Sequence, residues 1–178
     1  WIAFSGYFPD EWAFLKSSGL IPVGSAAWET LRIANGVPVY AAEYGDHTNP
    51  LESRLRGAIS FSKGCYIGQE VVARLWTYRK IQKYRVGFSF ATTKSLKLET
   101  PVLVEGKKVG YVTSTAPSAI SGNQLGMGYL KPAYAQEGRL IECFSEDGEL
   151  VGGVISRTVP LPPDKSPASA LALSDNSL

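Results

Sequence analysis

Lys63 to Glu70 read KGCYIGQE, which sets one cysteine between a lysine, two glycines and the start of a helical pattern, GQEVVARL. Cysteine reacts as its thiolate, and a nearby ammonium together with the positive end of a helix stabilises that form, drawing the pKa below a free value of about 8.5. Lys63, two positions before Cys65, is placed to supply the ammonium. Gly64 and Gly68 allow backbone conformations closed to other residues and a close approach to a ligand. Gln69 and Glu70 can orient a substrate or hold the loop by hydrogen bonds. The bland alternative is that Cys65 is a small buried hydrophobe in a tight turn, as many unpaired cysteines are. A metal site needs more than this. The sequence has no CxxC, no second cysteine nearby and a single histidine, His47, so a self-contained zinc or cluster site is not expected.

The elements that must position this loop are legible in part. FPDEWAFLKSSGL carries a proline at a first helical position, acids in the first turn and Gly19 as a stop, which predicts a short helix over about 9 to 18. Ser25 is expected to cap AAWETLRIAN, with Ala27, Trp28, Leu31 and Ala34 at helical spacing and Gly36 as the stop. Trp28 at that spacing reads as packing rather than a stacking platform. VPVYAAEY reads as a short apolar, β-branched strand, and GDHTNP as a loop in which His47 is solvated. From Gln82 onward the period shortens to strands: YRVGFSF, PVLVEG, KKVGYVTS, QLGMGYL, RLIECF and ELVGGVIS, with EGKK and EDGE as hairpin turns. A small barrel or sandwich is predicted, with Cys143 of RLIECF in its core. The segment from about Leu161 is rich in Pro and Ser without periodicity and is expected to be disordered. The opening WIAFSGYF reads as strand and loop in mid-fold, which suggests a fragment or a processed chain.

At 178 residues the chain is long enough for one domain or two small ones. It has no apolar run of the length a membrane span requires, and so reads as soluble. Two cysteines do not make a disulfide framework, which favours a reducing compartment. The net charge of +2 hides an uneven distribution. Glu52 to Lys97 hold ten Lys or Arg against two acids, a net of +8, whereas the rest holds eight bases and fourteen acids, a net of −6. Such a segment is either a solvated basic face or an attractor of polyanions, including nucleic acid or the glutamate tail of a folate.

KGCYIGQE closely resembles the K-G-C-Y-x-G-Q-E signature of the YgfZ/IBA57 family, relatives of the glycine-cleavage T-protein. PVGSAAWETLRIANGVPVY, NPLESRLRGAISFSKGCY and RLWTYRKIQKYRVGF resemble the family's flanking segments in the same order, over roughly residues 20 to 160. The resemblance implies an α+β chain: the C-terminal part of a GcvT-like folate-binding domain at 1–79, an antiparallel β-barrel at 80–160 and a tail at 161–178. It also implies a substantial N-terminal region that supplies much of the folate pocket. By resemblance, Cys65 is the functional thiol with Lys63, and Gly64, Tyr66, Gly68, Gln69 and Glu70 are its motif partners. Arg32 corresponds to an arginine that lines the folate site of T-protein relatives. Its alternative is an i,i+3 ion pair with Glu29 on one helix.

The function implied by the resemblance is that of a tetrahydrofolate-binding factor supporting iron–sulfur cluster assembly or repair, a transferase-like fold without the aminomethyltransferase role. Its partners would be folate and the iron–sulfur assembly machinery or client enzymes, in a plastid or mitochondrion. A second reading is a folate-dependent aminomethyl or methyl transferase. A third is a nucleic-acid-binding module using the 52–97 segment, where Trp76, Tyr78 and Tyr84 interleave with Arg74, Arg79, Lys80, Lys83 and Arg85. Nucleic acid is the least favoured partner.

Overall fold

The alternation of apolar and polar residues after Gln82 produces six antiparallel strands in the computed structural model, which describes residues 8–158 apart from Ser62, Arg79 and Ala119. They are β1 (Tyr84–Phe90), β2 (Pro101–Val104), β3 (Lys107–Pro117), β4 (Gln124–Leu130), β5 (Leu140–Phe144) and β6 (Leu150–Thr158). Successive side chains of a strand point to opposite faces. Val86, Phe88 and Phe90 of β1, Val102 and Val104 of β2, and Ile141 and Cys143 of β5 therefore turn together into one buried core. Each such large apolar side chain contributes about 1.5–3 kcal/mol when fully buried.

The strands close in the order β1-β4-β3-β2-β5-β6, which removes every sheet edge. Closure of so small a barrel requires bent strands, and the register shifts at Gly87/Phe88, Val102/Leu103 and Val112/Ser114 supply the bends. The EGKK turn forms as the sequence predicts. Glu105 and Gly106 sit at φ 51° and 72° between the paired Val104 and Lys107, the two left-handed positions of a type I′ hairpin. The joint between β2 and β5 is much shorter, a single pair of Leu103 with Glu142. Beside it, Leu96 bridges Ser145, and the Lys97 N–H donates to the Phe144 carbonyl at 3.3 Å.

Among the described residues three α-helices precede the barrel: α1 (Phe8–Ser17), α2 (Ser25–Ala34) and α3 (Gln69–Thr77). None is long and apolar enough to cross a membrane. α3 packs Val72, Leu75 and Trp76 into a second cluster with Leu51, Ile59, Ile81 and Tyr84. α2 differs from expectation at its start and in its orientation. Its N-cap is Gly24, with no side-chain cap bond, and Ser25 is the first helical residue. The expected apolar stripe faces outward, with Trp28 57% and Leu31 54% exposed, while the helix buries Arg32 and Ile33. Ile33 packs with Ala116, Leu125 and Met127 of β3 and β4. An arginine can face inward here because the carboxylates of Glu29 and Glu43 meet it.

VPVYAAEY is not a strand. The Glu43 N–H donates to the Val39 carbonyl and the Ala41 N–H to the Tyr44 carbonyl, and these bonds fold it into turns with Ala41 left-handed at φ 69°. The expected disordered tail and the opening segment lie outside the described residues.

Candidate functional site

The cysteine loop is short and open. Gly68, at φ 85°, is the N-cap of α3, a left-handed conformation that glycine adopts at little cost. Gly64, by contrast, has no left-handed φ and open space where a Cβ would stand, so its small size only leaves the loop approachable from outside. Cys65 is exposed, in contrast to the bland expectation of a buried turn cysteine. The Lys63 ammonium lies 4.9 Å from the centre of the Tyr66 ring, a cation–π geometry that ties the two residues flanking Gly64 and Cys65. The Gln69 N–H donates to the Tyr66 carbonyl at 3.2 Å, and the Val72 N–H to the Gly68 carbonyl at 3.1 Å, which seats the loop on the first turn of α3. Glu70 is exposed in that first turn. Behind the loop, the rings of Phe61 and Trp76 meet at 5.6 Å and brace its root against α3.

Arg32 lies elsewhere, at the seat of α2 on the barrel, and is only 4% exposed. All five of its N–H donors have acceptors. Nε donates to both Glu29 oxygens at 3.0 and 3.1 Å, and Nη2 to Glu29 Oε2 at 2.5 Å and to the Ser114 hydroxyl at 3.0 Å. Nη1 donates to the Val37 carbonyl and to Glu43 Oε2, both at 3.1 Å. The guanidinium thus makes the Glu29 pair weighed from the sequence and adds a second, fully buried one. It has no donor left for a ligand. Burial works against its charge, and the two carboxylates outweigh that effect and raise its pKa.

Glu43 went unnoticed in the sequence although it is the centre of this network. Its carboxylate also accepts from the Val39 N–H at 2.9 Å, from the Thr113 hydroxyl at 2.8 Å and from the Ser114 hydroxyl. Its backbone carbonyl accepts from the Ser53 hydroxyl at 3.0 Å and from the Tyr129 hydroxyl. The signal was present: a lone acid inside an apolar run, following a lone arginine on an apolar helix, needs an opposite charge if both are buried.

Glu29 is the half-exposed member, and the hydrogen bond from Arg32 is the main cause holding its carboxyl below the ordinary 4.5. A depressed folded-state pKa stabilises above the unfolded value, and that stabilisation is lost as pH falls through the lowered one. The melting temperature of Glu29→Gln should therefore lie below that of the natural chain at neutral pH, by the equivalent of about 1 kcal/mol or less for so exposed a pair. The two should converge in acid. A gap undiminished in acid would show that the Glu29 charge is not what stabilises.

The basic 52–97 segment is not one face. Arg85 is buried, donating from Nε to the Ser53 carbonyl at 2.9 Å and from Nη1 to the Gly36 carbonyl at 2.6 Å, and burial lowers its pKa. The Arg54 guanidinium lies over the Tyr84 ring at 4.7 Å. Trp76 belongs to the α3 cluster. The interleaved aromatics and cations are thus partly consumed by packing, which weakens the nucleic-acid reading. His47 is exposed in its loop, and Cys143 is fully buried, its thiol pushed up to about 11 by burial.

Residues 83–159 match the family described as the glycine cleavage T-protein C-terminal barrel domain. Over those residues the barrel is GcvT-like. A solved structure with the same fold is the glycine cleavage system aminomethyltransferase T from Bartonella henselae, with a TM-score of 0.71 at 22% identity over 88% of this chain and 43% of that one. A chloroplastic protein of Arabidopsis thaliana named as a candidate transferase is 37% identical over 89% of this chain. An aminomethyltransferase of Caldanaerobacter subterraneus is 28% identical over 86% of it. The chain spans 35% and 43% of the lengths of those two relatives. In the GcvT-like barrel, β1 begins at Tyr84, one residue inside the family match, and the cysteine loop lies ahead of it on α3.

Proposed function

We propose that this chain is the C-terminal part of a YgfZ-type factor that binds tetrahydrofolate and supports iron–sulfur cluster assembly or repair through Cys65. The observation that carries the reading is the exposed thiol of the KGCYIGQE loop, which leads into α3, while the other cysteine is sealed in the barrel. In this reading residues 1–79 are the end of a folate-binding domain, 80–160 its barrel and 161–178 a tail. Cys65 and Lys63 act, Gly64, Tyr66, Gly68, Gln69 and Glu70 shape the loop, and Arg32 positions the α2 face. The partners are the assembly machinery or client enzymes. The chloroplastic relative supports a plastid over a mitochondrion.

The fit to a folate is partial. The cavity beneath α2, lined by Ile33, Arg85 and Phe88, holds about 110 Å³, below the roughly 300 Å³ of a small-molecule site. Two clefts that share Lys108 and Tyr111 are larger, at about 510 and 320 Å³, and Lys83 and Lys131 also line the smaller. They suit the anionic end of the molecule rather than the pterin. Bound folate would supply a one-carbon carrier to the thiol loop.

The test is made in cells lacking their own family member, expressing the full-length parent of this chain as the natural form or as Cys65→Ser at equal abundance. Aconitase activity is the readout. The natural form should restore it, and Cys65→Ser should fail with its melting temperature unchanged, because an exposed Sγ→Oγ exchange alters stability by only about ±0.5 kcal/mol. Equal rescue by both would sink the role of the thiol. A second reading, folate-dependent aminomethyl transfer, is favoured by the relatives named aminomethyltransferase. Turnover with an aminomethyl donor and tetrahydrofolate in vitro would establish it in place of the first.

A further inference from the structure

Arg85 is a second buried guanidinium beneath α2, and it lacks the carboxylates that Arg32 has. It is 3% exposed on β1, and its partners are all neutral. Nε donates to the Ser53 carbonyl at 2.9 Å and Nη1 to the Gly36 carbonyl at 2.6 Å, with Met127 Sδ 3.5 Å from Nη1. Among the described residues, both N–H groups of Nη2 are left without an acceptor. The ion pairs among those residues are made by Arg32 and Lys94, so no carboxylate meets the Arg85 charge by contact. Burial is the main cause that lowers its pKa, and the charge of Arg32 adds to it. A buried charge without a counter-charge is unfavourable, because carbonyl dipoles return only part of the hydration it has lost.

Arg85 lines the cavity of about 110 Å³ beneath α2 and is the one charged residue among those that line it. Ile33, Phe88 and Leu125 give the cavity apolar walls, and Ala34 and Ser156 are exposed and mark its mouth. The volume is that of roughly three to four waters. Water fits there but leaves the charge uncompensated.

We infer that this cavity binds a short-chain carboxylate of acetate's size, its carboxylate on Nη2 of Arg85 and its alkyl group among Ile33, Phe88 and Leu125. One cation facing apolar walls suits a ligand that is charged at one end and apolar at the other. A phosphate calls instead for donors converging from several sides. Because Ile33 belongs to α2 while Phe88 and Leu125 belong to β1 and β4, an occupant holds the helix on the barrel and stabilises the folded chain. The site makes no use of the thiol loop or of a folate.

Acetate is the probe, added to the full chain in place of chloride at constant ionic strength. Saturation-transfer NMR should detect it on the protein, with a dissociation constant on the order of 1 mM, as befits so small a ligand. At about a hundredfold excess over that constant the melting temperature should rise by about 5 °C. Ala34→Leu, which fills the mouth from an exposed position, should weaken binding about tenfold or more, as should Arg85→Lys, which keeps the charge but loses Nη2. If Arg85→Lys does not fold, Ala34→Leu decides. Phosphate or chloride displacing acetate at equal concentration would make this a general anion site and overturn the carboxylate assignment. Acetate that neither accepts saturation nor raises the melting temperature would overturn the site, with water completing Arg85. Binding undiminished in either variant would put acetate elsewhere and overturn it as well.

Discussion

Glu43→Ala is expected to lower the stability of the chain by about 3 kcal/mol or more, the cost of breaking a buried ion pair from one side. The residue is fully buried, and its loss strips acceptors from Arg32, from the Val39 N–H and from the Thr113 and Ser114 hydroxyls at once. Glu29 still pairs with Arg32 from its half-exposed position, which places the effect at the lower end of the roughly 3–5 kcal/mol range. Since a domain of this size has about 5–15 kcal/mol in all, the variant would retain only part of its stability. Urea unfolding should show a lower midpoint with an unchanged slope. Glu43→Gln, which keeps the shape and loses the charge, should fall between. A loss below about 1 kcal/mol, a surface-pair magnitude, would mean that Glu29 alone neutralises the buried guanidinium.

The second large effect concerns glycines at which the strands come too close for any side chain. A Cβ on Gly110 of β3 would enter the Tyr129 carbonyl oxygen and come within 2.6 Å of Leu130 Cδ2. One on Gly128 of β4 would enter the Tyr111 carbonyl oxygen and come within 2.8 Å of Phe88 Cε2. The arrangement is reciprocal: each strand offers a glycine to a tyrosine carbonyl of the other. Backbone cannot yield as a flexible side chain can, so Gly110→Ala and Gly128→Ala should each cost about 3 kcal/mol, the upper part of the range for overpacking. β6 supplies an internal control. Gly152 has nothing within 4 Å of its missing Cβ, whereas Gly153 faces the Phe90 ring and, at 2.8 Å, the Ser89 carbonyl. Gly152→Ala should be neutral or raise stability by up to about 1 kcal/mol, and Gly153→Ala should lower it sharply. Equal melting temperatures for these neighbours would refute the account.

These positions also show what could be read from the sequence. The strands were legible because a barrel buries one face of each, so its alternation is written into every segment, as in the buried–exposed rhythm of PVLV and LIECF. The GQEVVARL helix was legible from local signals alone, whereas the exposure of the cysteine ahead of it was not, because a tight turn suits a buried thiol equally well. The orientation of α2 was not. Its Trp28 and Leu31 look like a core stripe, and only partners distant in sequence, Glu43 and Ser114, make it cheaper to bury Arg32 instead. For the same reason VPVYAAEY looked like a strand: nothing local announces that Glu43 will draw the Val39 N–H onto its own carboxylate.

The joint between β2 and β5 has a consequence for the chemistry of the second thiol. Where β2 meets β5 through a single residue pair, with the Leu96–Ser145 bridge and the Lys97–Phe144 bond beside it, the barrel is expected to open most readily. Cys143 stands on β5, one residue beyond Glu142 of that pair. Its sulfur is sealed only as long as these lips stay shut. The rate at which a thiol reagent consumes Cys143 is then a clock for the breathing of the barrel, whereas its consumption of Cys65 requires no opening at all.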